Sequence, residues 1–160
     1  MSSGTSTDPA VQNSLTIIAP QFADAVIQAI RYANAAGFDA VVYESLRSHE
    51  LATLYYARGR TIIPPQKPVT NAIDETYSWH GFGLAVDVIS KSKQWNQPES
   101  WFASVATYFA KFGCKWGGDW KQKDLPHFQW GKCKPSPSSV ARNLLHTEGM
   151  TAVWVAVGAA

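Results

Sequence analysis

The sequence predicts an α+β fold, in which a short, mainly antiparallel sheet and flanking helices form one small single domain. The chain has 160 residues, about the length of one domain. Apolar residues recur at helical spacing in some segments, whereas short segments rich in β-branched or aromatic residues favour strands. These segments do not alternate as repeated β-α-β units would, so the α+β class is favoured.

Five helices are predicted, and most begin or end at a residue typical of a helix terminus. Pro20 suits the first helical position, Gly37 ends the first helix, and Ser48 can cap the second. Pro98 opens the third helix, and Gly113 ends it. The predicted helices span residues 20–36, 48–57, 98–112, 136–146 and 150–157.

Four short strands are predicted, at residues 38–44, 83–89, 114–116 and 127–130. Alternation along the second strand creates a small-residue face, with Gly83 and Ala85, that ends at the carboxylate of Asp87. Residues 58–77 contain three prolines and form a predicted long loop, which is a candidate lid. Residues 1–13 are predicted to be a flexible tail, and residues 14–160 are predicted to be the folded domain.

The composition excludes several classes of protein. The chain has 7 Trp, 6 Tyr and 7 Phe but only 16% charged residues, which excludes intrinsic disorder and coiled coils. No apolar run approaches the ~20 residues of a membrane-spanning helix, so stable membrane insertion is not expected. The net charge is +2, and the basic residues late in the chain either form a solvated face or attract an anionic polymer.

The N-terminal residues and the cysteines bear on the cellular compartment. Residues 1–12 lack a basic start followed by an apolar stretch, so we expect synthesis in the cytoplasm without a signal peptide. Cys114 and Cys133 form no C-x-x-C pair, and free thiols are expected in a reducing cytosol. Pairing of the two cysteines in an oxidising compartment is the alternative.

Two histidines lie close to carboxylates along the chain and indicate a metal site. A catalytic zinc site uses three protein ligands, from imidazole and carboxylate groups, plus one open position for water. His80, Asp87 and His127 could supply these ligands. Asp124, which precedes His127 by three residues, is then a candidate proton acceptor for the water. The alternative is that the histidines are ordinary hydrogen-bonded surface residues.

The residues around these groups resemble a known family. The patterns S-x-H-x-x-G-x-A-x-D at residues 78–87 and D-x-P-H-F-Q at residues 124–129 are similar to those of zinc peptidases. That family includes D-alanyl-D-alanine carboxypeptidases and phage L-alanyl-D-glutamate endopeptidases, and the second pattern resembles the endopeptidase (endolysin) branch. The resemblance extends over about residues 20–158, and it implies the DD-peptidase or hedgehog-like zinc peptidase fold. One departure is Leu51, where relatives often carry glutamine.

The resemblance implies roles for the polar residues of the site. It makes His80, Asp87 and His127 the ligands of one zinc ion per chain, and it makes Asp124 the catalytic acid/base. It also makes Arg47 the family's arginine near the metal. The guanidinium of that arginine binds a substrate carboxylate or stabilises the oxyanion that forms during catalysis.

Other residues of the predicted site have two interpretations each. An ion pair between Arg47 and Glu44 is the alternative to a catalytic or substrate-binding role for Arg47. Ser78 either contacts the substrate or caps a turn. Four of the seven tryptophans flank the predicted site along the chain and are expected to wall a groove, with Trp79 in contact with the substrate: Trp79, Trp116, Trp120 and Trp130.

The resemblance implies hydrolysis of bacterial peptidoglycan at the L-alanyl-D-glutamate bond, as in phage lysis of a host cell. The protein would act on the cell wall after a separate membrane-permeabilising protein releases it. We expect a monomer that binds peptidoglycan and no nucleic acid. Two alternatives stay open: a D-alanyl-D-alanine carboxypeptidase of the same fold, and a non-catalytic module that binds the cell wall or nucleic acid through the late lysines and tryptophans.

Overall fold

The computed structural model describes residues 8–160, and the first seven residues of the predicted tail lie outside the described residues. Within that range the α+β prediction is confirmed, because five helices flank one four-stranded sheet. The helices are α1 (Pro20–Ala35), α2 (His49–Ala57), α3 (Glu99–Lys111), α4 (Ser139–Glu148) and α5 (Met150–Ala156). The strands are β1 (Ala40–Glu44), β2 (Ala85–Ser90), β3 (Cys114–Trp116) and β4 (His127–Trp130).

Neighbouring strands of the sheet are antiparallel, in the order β1-β2-β4-β3. Where β2 pairs with β4, Val86 lies opposite Phe128, and Asp87 lies opposite His127. Residues directly opposite each other share a face, and successive residues along a strand alternate between faces. The sheet therefore has a core face, with Val86 and Phe128, and a second face, with Asp87 and His127.

Helices α1 and α3 pack against each other and against the core face of the sheet. The ring of Phe109 in α3 stacks on Phe128, with the ring centroids 4.0 Å apart. Phe22 in α1 meets the ring of Trp130 edge to face. Phe22, Phe109 and Phe128 are fully buried, and burial of each contributes roughly 1.5–3 kcal/mol to folding. This packing holds β4 in place from the core face, and it thereby fixes the direction of the β4 side chains on the second face.

A β-bulge at the end of β1 brings an acidic side chain next to Asp87. Val42 pairs with Val88, but Glu44 pairs with Asp87, so Tyr43 is the extra residue. The shift in register places Glu44 beside Asp87, and Glu44 is completely buried.

Several element boundaries differ from the predicted ones, and the starts of three elements shift by two or three residues. Strand β1 begins two residues later, and α4 begins three residues later, after its N-cap Ser138. Strand β2 begins at Ala85 rather than Gly83, because Gly83 ends a 3-10 helix (Trp79–Phe82) with a φ of 68°. This left-handed conformation favours glycine. The 3-10 helix was not predicted, and it carries His80.

The predicted long loop after α2 is anchored to that helix. The Arg60 Nη1 atom donates to the backbone carbonyls of Tyr56 (2.7 Å) and Thr70 (3.0 Å), and the guanidinium stacks on the Tyr56 ring. The backbone of Lys67 lies against Gly59, which has no side chain to obstruct it. These contacts fix residues 67–72 relative to α2. The role of the loop as a lid stays a prediction.

The predicted tail has contacts near its end. The side-chain amide of Gln12 donates to the carbonyl of Leu46 at 3.0 Å, and the Gln12 carbonyl accepts from the backbone N–H of Ser45 at 2.7 Å. Residues 8–13 contain no helix or strand. The domain boundary at residue 14 stays a prediction.

Cys114 and Cys133 are both free and buried. Burial raises the pKa of each thiol to about 12. Over the part of the chain that the structure describes, no helix combines the length and apolarity needed to cross a membrane.

Candidate metal centre

A cleft of about 900 Å³ opens on the second face of the sheet. It is lined by Arg47, by Asp87 and by residues of four segments, at 67–72, 77–80, 120–127 and 135–136. The ends of β2 and β4 thus meet several loops at one polar cavity. The predicted ligands, acid/base and substrate-binding residues all line this cleft: Arg47, Ser78, Trp79, His80, Asp87, Asp124 and His127.

Three of these side chains present potential metal ligands to one another. One ligand atom from each of His80, Asp87 and His127 lies within 4.8 Å of the other two. The Asp87 Oδ1 atom lies 3.2 Å from His80 Nε2 and 3.9 Å from His127 Nδ1. Imidazole and carboxylate groups are the ligands from which catalytic zinc sites are built. The arrangement can therefore hold a metal ion.

A short turn and a backbone carbonyl orient His80. The N-cap of the 3-10 helix, Ser78, accepts a hydrogen bond from the His80 backbone N–H through its Oγ atom at 3.3 Å. The ring atom Nδ1 lies 3.1 Å from the carbonyl of Ser45, and it must donate because a carbonyl only accepts. The Nε2 atom is left facing the Asp87 carboxylate. Either a proton on Nε2 or a metal cation between the two groups satisfies this pair.

A side-chain amide orients His127. The Nε2 atom of the ring lies 2.7 Å from Oε1 of Gln129, which shares the second face because it follows two residues later along β4. The other ring nitrogen, Nδ1, lies 3.9 Å from Asp87 Oδ1 and 3.9 Å from Asp124 Oδ2. The two histidines thus offer different atoms to the centre, Nε2 from His80 and Nδ1 from His127.

The surroundings hold Asp87 and His127 in the protonation states that metal ions require. Burial alone raises the pKa of Asp87, but its interactions with His80 first, and then with His127 and Arg47, outweigh burial and hold it at about 2. Burial and the proximity of His80 lower the pKa of His127 to about 4. At neutral pH Asp87 is therefore ionised and His127 is neutral. A carboxylate and a neutral imidazole are the forms that coordinate metal ions.

Asp124 borders the cluster at the mouth of the cleft. Half of its side chain is exposed (50%), and its Oδ2 atom lies 3.9 Å from Nδ1 of His127. The Asp124 backbone is held by a hydrogen bond from its N–H to the carbonyl of Gly117 at 3.0 Å. Partial burial of the carboxyl group within the cleft and the negative charge of Asp87 raise the pKa of Asp124 to about 6. A carboxyl group with this pKa can exchange a proton near neutral pH.

Arg47 joins the cluster to the buried Glu44. Its Nε and Nη2 atoms donate to the Glu44 carboxylate, with a shortest distance of 2.6 Å, and Nη2 lies 3.9 Å from Asp87 Oδ2. Burial alone disfavours the charged guanidinium, but Glu44 outweighs burial, so the pKa of Arg47 is raised. The Tyr55 ring lies 4.8 Å from the guanidinium. The ion pair considered from the sequence is present, and Arg47 lines the cleft as well.

The expectation for two of the four tryptophans is wrong. Trp79 and Trp120 line the cleft. Trp116 pairs with Phe128 across the sheet and therefore shares the core face. Trp130 also lies on the core face by alternation, and its Nε1 atom donates to the carbonyl of Val157. Closeness to His127 along the chain did not translate into closeness to the cleft.

Ser78 and Trp79 both have structural partners. Ser78 caps the 3-10 helix, which was the second of its two interpretations, and it also lines the cleft. Trp79 is buried, and its Nε1 atom donates to the carbonyl of Lys134 at 2.6 Å. Gln129 was not singled out from the sequence. Its position two residues after His127 in a predicted strand is the signal that could have identified it.

Known proteins share both the segment that carries the site and the fold. Residues 72–130 match the model of a family described as D-alanyl-D-alanine carboxypeptidase. The crystal structure of the L-Ala D-Glu endopeptidase ChiX from Serratia marcescens is similar, with a TM-score of 0.56 and 25% identity over 72% of this chain and 82% of that chain.

Two further solved structures share the fold. One is the D,D-pentapeptidase VanY of a VanB-type vancomycin resistance cassette, solved as a variant in complex with Zn(II), with a TM-score of 0.53 and 15% identity over 91% of this chain and 92% of that chain. The other is the LD-carboxypeptidase LdcB, with a TM-score of 0.54 and 17% identity over 86% of this chain and 68% of that chain.

The fold and the cluster of potential ligands are those expected of a metal-dependent peptidase. More particularly, residues 72–130, which match the family model, contain His80, Asp87, Asp124 and His127, and the fold is shared with DD- and LD-peptidases of known structure.

Proposed function

We propose that this chain is a zinc-dependent peptidoglycan peptidase that hydrolyses the L-alanyl-D-glutamate bond of the stem peptide. The observation that carries the proposal is the cluster of His80, Asp87 and His127 in a cleft that Asp124 and Arg47 also line. The choice of bond is supported by the likeness to ChiX and by the D-x-P-H-F-Q pattern at residues 124–129.

The metal proposed for the centre is a single zinc ion held by His80, Asp87 and His127. The residues fit this ion, because the Nδ1 hydrogen of His80 is directed at the Ser45 carbonyl, and the Nε2 atom then faces the Asp87 carboxylate at 3.2 Å with a cation or a proton needed between them. Bound zinc would polarise the scissile carbonyl and lower the pKa of a water molecule.

Asp124 is the proposed acid/base of the reaction. Its carboxyl group is accessible from the cleft and lies beside Nδ1 of His127, whereas Asp87 is more buried and is occupied by the histidines. In the ionised form Asp124 takes a proton from the attacking water, and it then gives that proton to the amine that leaves. A pKa of about 6 suits both steps near neutral pH.

Arg47, Ser78 and Trp79 are the proposed substrate-binding residues. Glu44 and Asp87 engage the Nε and Nη2 atoms of Arg47, which leaves further guanidinium hydrogens for a substrate carboxylate or for the carbonyl oxygen as it gains negative charge. Ser78 and Trp79 border the same cleft. We propose that Arg47 acts in catalysis as well as in binding.

The biological role that we propose is lysis of a bacterial host by a phage endolysin. The protein would act as a monomer on the cell wall. This part of the proposal rests on the resemblance of residues 124–129 to the endolysin branch.

A D-alanyl-D-alanine carboxypeptidase is the second candidate, and the description of the family model for residues 72–130 favours it. Digestion of purified peptidoglycan, with mass spectrometry of the products, separates the two. New amino groups on D-glutamate support the endopeptidase. Release of D-alanine without those amino groups contradicts it and supports the carboxypeptidase. Binding to the wall without any product contradicts both and indicates a non-catalytic module.

A further inference from the structure

A chain of hydrogen bonds runs from the backbone to His127 through Gln129. The side chain of Gln129 is 1% exposed. Its Nε2 atom lies 2.8 Å from the carbonyl of Lys134 and 3.4 Å from that of Cys133, and its Oε1 atom lies 2.7 Å from His127 Nε2. The amide thus has partners at both its ends.

The chemistry of these partners determines which atom donates in each hydrogen bond of Gln129. Carbonyl oxygens only accept hydrogen bonds, so the NH₂ group of Gln129 must point at Cys133 and Lys134. Its Oε1 atom then faces His127 and can only accept, so the hydrogen of the neutral imidazole must lie on Nε2. The bare nitrogen of His127 is therefore Nδ1, which faces Asp87.

The backbone carbonyls that accept from Gln129 are also held in place. The carbonyl of Lys134 accepts a second hydrogen bond, from Trp79 Nε1 at 2.6 Å, and the N–H of Cys133 donates to the carbonyl of Trp130 at 3.0 Å. A turn fixed by β4 and by the 3-10 helix therefore determines the orientation of the Gln129 amide.

We propose that Gln129 is a positioning residue that fixes the Nε2–H tautomer and the ring orientation of His127, and thereby sets the metal affinity of the centre. The effect on affinity rests on the proposed function, because that proposal supplies the metal. The effect on the tautomer does not, since it exists in the metal-free protein. Partners of this kind on metal-binding histidines typically change metal affinity about 10–100-fold.

The first measurement is the tautomer of His127 in the metal-free wild-type protein, read from the ring nitrogens by ¹H–¹⁵N NMR. We expect the hydrogen on Nε2. A hydrogen on Nδ1 overturns the inference, whether or not any variant folds and whether or not the protein is a peptidase.

The second measurement is zinc affinity, determined by competition with a chromophoric chelator. Gln129→Met keeps the side-chain length but removes the acceptor, and we expect it to weaken zinc binding about 10–100-fold. Gln129→Glu, with its buried carboxyl group protonated, keeps an acceptor for His127 and a donor for the Lys134 carbonyl, and it should recover most of this loss. The matched control is Gln97→Met, which should bind zinc as the wild type does. Gln97 does not line the cleft, and its Nε2 atom donates to Ser90 Oγ at 3.2 Å.

The outcomes separate the inference from the proposed function. Wild-type affinity in Gln129→Met, or equal losses in Gln129→Met and Gln129→Glu, overturns the inference while the peptidase proposal stands. A wild-type protein that binds no zinc contradicts the proposed function, and the tautomer measurement then decides the inference alone.

Discussion

Asp124 differs from the clustered ligands in the exposure of its carboxyl group. Its side chain is 50% exposed, whereas His80 and His127 are buried by the surrounding loops. An exposed carboxyl group beside a metal centre can reach water and substrate without being consumed as a ligand. At the scale of single residues, the proposed roles of Asp87 as a ligand and Asp124 as the acid/base therefore follow from differences in burial and in neighbouring groups.

Replacement of Asp124 should separate metal binding from catalysis. We expect Asp124→Asn to retain zinc but to lower kcat roughly 10²–10⁴-fold, since the amide cannot accept the proton of the water. Activity on peptidoglycan and metal content measured on the same preparation check this. Asp119→Asn is the control, because Asp119 is exposed in the same loop and does not line the cleft. Activity of Asp124→Asn equal to that of the wild type would show that another group moves the proton.

The contributions of Glu44 and Arg47 to the free energy of unfolding should depend on each other. Both side chains are almost wholly buried, so removal of either leaves an unpaired charge, which typically costs about 3–5 kcal/mol. We expect Glu44→Ala to lower the free energy of unfolding by an amount in this range. The double variant Glu44→Ala/Arg47→Ala should lose less than the sum of the single losses. Urea unfolding of the three variants measures this coupling, and strict additivity would contradict it.

At the scale of elements, the site depends on the register of three strands. The pairing of β2 with β4 sets Asp87 opposite His127, and the bulge in β1 sets Glu44 opposite Asp87. Asp39, just before β1, ties this strand to the end of β2. Its carboxylate accepts hydrogen bonds from Ser90 Oγ (2.8 Å) and from both the N–H and Oγ of Ser92 (2.7 and 2.6 Å).

The Asp39 contacts should make stability depend on pH. The hydrogen bonds from Ser92 and then Ser90 lower the pKa of Asp39 from 3.8 to about 2 in the folded protein. A lowered pKa means that the stabilisation is complete above about pH 4 and is lost as the pH falls toward 2. Asp39→Ala should therefore lower the urea midpoint at pH 7, and the difference from the wild type should shrink at pH 3. Asp24→Ala, at an exposed position of α1, is the control; a difference that is independent of pH would be contrary to this account.

Local patterns predicted the helices and strands well because each is encoded in its own residues. Strands β3 and β4 have the predicted bounds, and α2 has the predicted cap at Ser48. The bulge at Tyr43 depends on pairing between distant strands, which no local pattern contains. The 3-10 helix before β2 was likewise missed, since its end depends on the left-handed conformation of Gly83.

The site residues were predicted more completely than their surroundings. Residue types and spacing, together with the resemblance to zinc peptidases, grouped His80, Asp87, His127 and Asp124, and all of them line one cleft. The tryptophans were assigned by closeness along the chain, and this failed for Trp116 and Trp130 because the faces of a strand alternate. The same alternation, applied to β4, would have excluded Trp130 and included Gln129.

At the scale of the whole molecule, one face of the sheet holds the fold together, and the other carries the polar cleft. Phe22 and Phe109 pack on the core face, and no buried side-chain polar atom of the described residues lacks a hydrogen-bond partner. The loops around the cleft therefore lie on the face opposite the packed core. The two cysteines lie within the packed part of the molecule.

The reactivity of the two thiols should report whether they are buried in the native protein. Cys114 and Cys133 are buried, and burial raises the pKa of both thiols to about 12, so few thiolates exist at neutral pH. We expect both thiols to react slowly with a thiol reagent in the native protein and rapidly in denaturant. A fast native reaction would contradict the burial of the cysteines. Two unreactive sulfurs in denaturant would indicate a disulfide.

Metal content of the purified protein tests the central claim most directly. We expect one zinc ion per chain in the wild type and in His146→Ala, because His146 is exposed on α4. We expect almost no zinc in His80→Ala, which removes one of three ligands. Elemental analysis of the three proteins, prepared together without chelators, provides the comparison. Absence of zinc from the wild type, or full retention of zinc in His80→Ala, would contradict a metal centre formed by His80, Asp87 and His127.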